Sequence, residues 1–306
     1  MSEPPLQNPQ DHGRFPYSAI VDRKPLRWPR GARVAVWVIP NIEHFLFDRP
    51  STSLTHATTS LVPDVLNYSW RDYGVRVGVW RLMEIMERHG FKGTVALNSD
   101  VCDRYPRIIE EGNRLGWEWM GHGTNNSTLI NKQSEEEEER ALITRVVSTI
   151  ERSTGKHPRG WLSPALSESH RTLDILAENK IEYVANWVND EQPYPMRVKT
   201  GTMLSMPYSV EINDIPVFLD HHQSGETFGR MICDQFDVLY EDSAKTGRVL
   251  AISLHPFLIG HPHRSKYFAQ ALAHITSRQQ VWLAKGSEIA DWYKTNCLNT
   301  SVRSDL

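Results

Sequence analysis

The sequence predicts an α/β barrel, and three observations carry that expectation. Near-continuous apolar runs at 34–39 (VAVWVI) and 247–254 (GRVLAISL) have the character of parallel strands buried on both faces. Helical stripes separate such runs, so strand and helix alternate as they do in βαβ units. A chain of 306 residues, 40% of them hydrophobic, can bury one sizeable core, and six to eight βα units fill it.

Residues 1–30 are rich in Pro, Asn, Arg and Asp without a sustained period, and read as an irregular arm lying over the domain. The strand at 34–39 stops at Pro40, and Asn41, Glu43 and His44 follow at its carboxyl end, where barrel enzymes place their chemistry. Residues 46–71 show no clear period and read as a long loop covering a substrate. Val79, Leu82, Met83, Ile85 and Met86 then form a helical stripe that ends at His89-Gly90. A strand at 91–98, a helix at 106–115 and a short strand at 117–120 lead to GHGTNNS.

The acidic run 135–139 precedes a helical stripe at Leu142, Ile143, Val146, Val147 and Ile150. It reads as a helix start with Ser134 as N-cap and Glu137 in a capping box. A strand at 160–162, a helix at 169–179 and a strand at 182–187 come next, followed by short strands at 204–208 and 217–219. The helix at 227–243, the strand at 247–254 and helices at 265–277 and 286–295 complete the pattern. The expected division is an arm at 1–30, a barrel domain at 31–297 and a frayed tail at 298–306.

Composition excludes several classes of partner. The formal net charge of -3 gives no basic footprint for nucleic acid or an anionic membrane. No apolar run reaches the roughly 18 residues of a membrane span, and the first fifteen residues carry no targeting pattern, so a soluble, cytoplasmic protein with a small-molecule substrate is expected. Three separated cysteines signal neither a disulfide framework nor a thiolate metal site.

Polar clusters stand at three strand ends: Asn41 to His44, His122 to Asn126, and His255-Pro256. Two histidines and a carboxylate on one rim can polarise a carbonyl and manage a proton, as amide or ester hydrolysis requires; they can also hold a metal. Trp37, Trp161 and Trp187 are candidates to wall a flat heterocycle. Ser163, close to Trp161, joins Asn41 and Asn126 among the substrate-binding candidates.

WPRGARVAVWV before NIEH, YGVRVGVWRL, GHGTNN, RGWLSP, NWVNDEQPY, EINDIP, and LHP followed by GHPHR occur in one order over residues 14–294. In this the chain resembles the polysaccharide deacetylase (NodB homology) superfamily, and within it the branch of allantoinase-like and cyclic imide hydrolase-like proteins. The resemblance implies a single deformed (β/α)7 barrel, hydrolysis of a non-peptide carbon–nitrogen bond and, by analogy, a homo-oligomer. It puts Glu43 at the position of the catalytic base, His44 at that of a metal-binding aspartate, and His122 at the first metal histidine. Asn126 stands in place of the second, and an amide is a poor ligand for zinc. Leu162 falls where the family's usual arginine would be. His255 is placed to protonate the leaving group, and His122 to hold either a divalent metal or the oxyanion.

The expected reaction is opening of a small cyclic imide or ureide, with His44 and His122 left as candidate ligands of a single zinc-like ion. The alternatives are a metal-dependent polysaccharide or chitooligosaccharide deacetylase and a barrel that binds a small ligand without turnover.

Overall fold

The computed structural model describes residues 12–298 apart from 50, 59 and 132. The beginning of the expected arm and all but the first residue of the expected tail lie outside the described residues.

Among the described residues nine strands form one sheet. They are β1 (Val34–Ile42), β2 (Thr94–Leu97), β3 (Glu118–Gly121), β4 (Gly160–Trp161), β5 (Tyr183–Val184), β6 (Tyr194–Met196), β7 (Met203–Ser205), β8 (Arg248–Leu254) and β9 (Val281–Leu283). The order is β6-β7-β5-β4-β3-β2-β1-β8, with β9 also paired to β1, and every pairing but β6 with β7 is parallel. The sheet curls into a deformed (β/α) barrel. Its seam, between β7 and β8, is bridged by the incoming chain: Asn213 pairs with Ser253, and the Val249 N–H donates to the Glu191 carbonyl at 2.9 Å.

Period-two alternation along the strands divides the interior into two cores. From β1, Val34, Val36 and Val38 point outward and pack with Leu82, Met86, Ile252 and Phe268 under the helices. Ala35, Trp37 and Ile39 point inward and pack with Met120, Tyr183, Leu204 and Ala251 inside the barrel. Leu26 and Trp28 of the arm, with Ile289 and Ala290, complete the inner core. The Trp28 indole N–H donates to the Arg248 carbonyl at 2.9 Å, while Arg14 and Arg23 pair with Asp174 and Asp190.

The outer layer comprises α1 (Val65–Tyr73), α2 (Val79–Arg88), α3 (Ser99–Arg104), α4 (Pro106–Arg114), α5 (Glu136–Thr154), α6 (Thr172–Glu178), α7 (Gly225–Asp242), α8 (Pro262–Thr276) and α9 (Gly286–Tyr293). The stripe expected of α2 is its buried face, and Gly90, at φ 75°, supplies the left-handed turn that ends it. Among the described residues no helix is long and apolar enough to cross a membrane.

Four local expectations are corrected. α1 lies within the stretch read as irregular, because its buried residues are Asn67 and Arg71 rather than an apolar stripe. The apolar triplet 217–219 belongs to a helical turn, Pro216–Asp220, since so short a run carries no period of its own. Glu135 rather than Ser134 takes the N-cap position of α5, without a side-chain cap hydrogen bond, while the Ser134 hydroxyl accepts the Asn131 N–H. Glu139 of that acidic run turns inward and accepts from the Ser169 and Thr172 hydroxyls, tying α5 to the start of α6. Finally, the β6–β7 pairing and β9 had no clear signal, being three-residue segments.

Candidate active site

The same alternation delivers the polar side chains. The inward series 35, 37, 39 of β1 continues to Asn41 and Glu43, and places His44 on the opposite side. In β3, the inward Met120 is followed two residues later by His122; in β8, Val249 and Ala251 are followed by Ser253 and His255.

These residues meet at one oxygen. Glu43 Oε1 lies 3.3 Å from His122 Nε2 and 3.6 Å from His255 Nε2, and it accepts a hydrogen bond from the Asn126 side chain. The three side chains Glu43, His122 and His255 are at most 5% exposed. The second oxygen of Glu43, Oε2, is buried without a hydrogen-bond partner. A buried carboxylate oxygen left in that state calls for a donor from a water or a substrate.

Each imidazole is oriented from behind. His122 Nδ1–H donates to the Leu162 carbonyl at 2.5 Å, and His255 Nδ1–H donates to Asp214 Oδ1 at 2.6 Å, so both rings turn Nε2 toward Glu43. Burial disfavours the His255 imidazolium, but the charges of Asp214 and Glu43 outweigh it and raise the pKa above the usual histidine value.

Asn98, fully buried at the end of β2, organises the neighbouring loops. Its Oδ1 accepts the His44 N–H at 2.9 Å, and its amide donates to the His122 carbonyl and, at 3.0 Å, to Asn126 Oδ1. With its oxygen so committed, Asn126 presents its NH2 to Glu43. Asn41 is a tie between strands: its Nδ2 lies 3.1 Å from Ser253 Oγ and 3.2 Å from the Ile39 and Leu254 carbonyls.

Glu43, Asn126, His122 and His255 line a cleft of about 470 Å³ whose apolar wall includes Leu129, Leu162, Leu166, Val210, Ile215 and Pro216. Asn41 and Ser163 line it too, as do Ser51 and Thr52 from the long loop after β1. A larger cavity, about 570 Å³, opens at the β7–β8 seam beside the Arg23–Asp190 pair, and contains none of the residues converging on Glu43.

The tryptophans stand elsewhere. Trp161 faces the outer core, fully buried; Trp37 lies in the inner core; and Trp187 packs against His12 and Phe15 of the arm. None of the three lines the cleft, whose one aromatic lining residue is Tyr208.

The polysaccharide deacetylase family model matches residues 68–184, a span that includes His122, Asn126 and Ser163. A curated relative bearing the name polysaccharide deacetylase, from Schizosaccharomyces pombe, is 27% identical over 304 residues, covering 88% of this chain and 92% of its own. A crystal structure of a polysaccharide deacetylase from Pseudomonas aeruginosa PAO1 is 26% identical, with a TM-score of 0.80 over 88% of this chain and 94% of that one.

Over residues 68–184 the chain carries a polysaccharide deacetylase domain.

The crystal structure of Puue allantoinase shares the fold, with a TM-score of 0.83 over 95% of this chain and 99% of that one at 24% identity. Against the superfamily's metal positions, the donors of this chain do not fit. The His44 ring points away from the cleft, its Nδ1 3.3 Å from the Tyr105 hydroxyl, and burial lowers its pKa. Asn126 spends its amide on Glu43 and Asn98. Of the three, His122 alone brings an imidazole to the cleft, and among the described residues no group of three His, Cys, Asp or Glu side chains could hold a metal ion.

Two members of this polysaccharide deacetylase-fold site escaped the sequence reading. Asp214 was visible only as part of EINDIP, with nothing to link it to His255, 41 residues further on. Asn98 had a weak local signal, as the polar residue that ends a buried strand.

Proposed function

We propose that this superfamily hydrolase opens small cyclic amides, imides or ureides by attack of water on a ring carbonyl. The observation that carries the reading is the coexistence of an assembled acid–base set with a dispersed metal set: Glu43, His255 and Asp214 converge, whereas His44 turns out and Asn126 binds the base. The small, largely apolar cleft suits a compact heterocycle better than a polymer.

In this mechanism the unpartnered Oε2 of Glu43 receives the water's proton as the nucleophile attacks, while Asn126 keeps the other oxygen in place. The carbonyl becomes a tetrahedral oxyanion. His255, charged and braced by Asp214, donates from Nε2 to the ring nitrogen as the carbon–nitrogen bond breaks. His122 turns its Nε2 to the same oxygen of Glu43 and helps to hold the base in place.

A second reading, deacetylation of an acetylated sugar, is favoured by the names of the relatives from Schizosaccharomyces pombe and Pseudomonas aeruginosa. The experiment is to incubate the purified protein with succinimide, hydantoin, allantoin and acetylated chitooligosaccharides, following ring opening and acetate release. Ring opening that falls by about 10²-fold or more in a folded Glu43→Gln variant supports the proposal. Acetate release without ring opening overturns it in favour of the second reading, and ligand-dependent melting without any turnover points to a binding barrel.

A further inference from the structure

Ser163 is almost completely buried at the end of β4 and lines the cleft. Its hydroxyl oxygen accepts two hydrogen bonds, from Trp161 Nε1 at 2.9 Å and from Asn186 Nδ2 at 3.1 Å. Neither donor can reverse its role. An indole N–H only donates. The Asn186 amide has its orientation set by the main chain, because its Oδ1 accepts the Ser163 N–H at 2.7 Å. Its Nδ2 also donates to Glu168 Oε1 at 2.7 Å, which accounts for the other hydrogen of the amide.

A serine hydroxyl has two lone pairs and one hydrogen. Both lone pairs of Ser163 are taken, and its hydrogen has no acceptor among the described residues. The group is therefore held as a donor, and the open side available to it is the cleft. Glu43, whose Oε2 is an acceptor without a partner, lines the same cleft. The cleft thus offers a substrate one fixed donor and one free acceptor.

We infer that the Ser163 hydroxyl donates a hydrogen bond to a carbonyl oxygen of the bound substrate, with Trp161 and Asn186 as the residues that fix its polarity. The inference rests on the ring-opening reading and narrows its substrate class: the ring must present an oxygen acceptor to the β4 side while a second group faces Glu43. An ammonium at that place would set donor against donor and an apolar group would leave the hydroxyl unpaired, and buried mismatches of that kind discriminate strongly.

The test compares kcat/KM for succinimide and for dithiosuccinimide, whose sulfur atoms accept hydrogen bonds poorly. The difference in intrinsic reactivity between the two rings cancels when the ratio is compared between wild type and variant. Ser163→Ala is expected to lower kcat/KM for succinimide by about tenfold and to leave dithiosuccinimide much less affected, so that the discrimination ratio collapses. Ser163→Cys, close in volume and a weak donor, gives the same direction if the alanine variant folds poorly, and Ser163→Thr recovers the ratio by restoring the hydroxyl. A ratio unchanged in both the alanine and cysteine variants overturns the inference while leaving the ring-opening reading intact. Failure of the wild type to open either ring overturns both.

Discussion

Asp214 grips His255 at two points: Oδ1 lies 2.6 Å from the ring Nδ1, and Oδ2 accepts the His255 main-chain N–H at 2.8 Å. Oδ2 also receives the Ile259 N–H at 3.3 Å, so one buried carboxylate sets the ring, the strand end and the turn that follows.

Asp214→Asn removes one of the two charges that favour the His255 imidazolium, so that burial is opposed by Glu43 alone. The His255 pKa is raised in the wild type, so the acid form persists to higher pH and activity is lost as pH rises through that pKa. In the variant that alkaline limb is expected to move to lower pH, by about one unit or more, with a lower maximum rate. A pH profile of kcat/KM measures this, and an unmoved limb would detach His255 from the acid step.

Dialysis against a strong chelator is expected to leave ring-opening activity within about twofold, since of the superfamily's metal positions His44 turns from the cleft and Asn126 commits its amide to Glu43 and Asn98. The check is activity together with metal content before and after dialysis. A large loss reversed by added zinc would show that the cleft recruits ligands which this arrangement keeps apart.

Gly78 tests how tightly the barrel holds the turn beyond His255. A Cβ added there would stand 2.0 Å from the Pro256 carbonyl oxygen, with the Gly260 Cα 3.5 Å away. Both neighbours are main chain and cannot step aside by changing rotamer. Gly78→Ala is expected to destabilise the fold by about 1–3 kcal/mol in chemical denaturation and to lower kcat through displacement of the adjacent His255. Full activity with unchanged stability would show that the turn yields freely.

Much of the architecture was legible in the chain. The stripe at Val79 to Met86 named its helix because a helical face repeats every three or four residues. α1 stayed hidden because Asn67 and Arg71 are what it buries: the Asn67 N–H donates to Oδ1 of the cap residue Asp64 at 3.2 Å, and Arg71 donates to the Thr52 carbonyl at 2.6 Å. Polar inward faces have no hydropathy pattern, since only the finished loop satisfies them.

For the site, Glu43, His122 and His255 could be named from the sequence because each ends an apolar strand, and the two-residue period of a strand is a local property of the chain. By the same parity His44 lies opposite Glu43, an outcome the period contains although the motif alignment drew attention away from it. What only the tertiary structure decided is the company these residues keep. Asp214 reaches His255 because the chain entering the seam pairs Asn213 with Ser253. Asn98 joins the loops after β1 and β3 because those strands flank β2. Such contacts depend on how the sheet curls and closes, and no short segment of sequence encodes that.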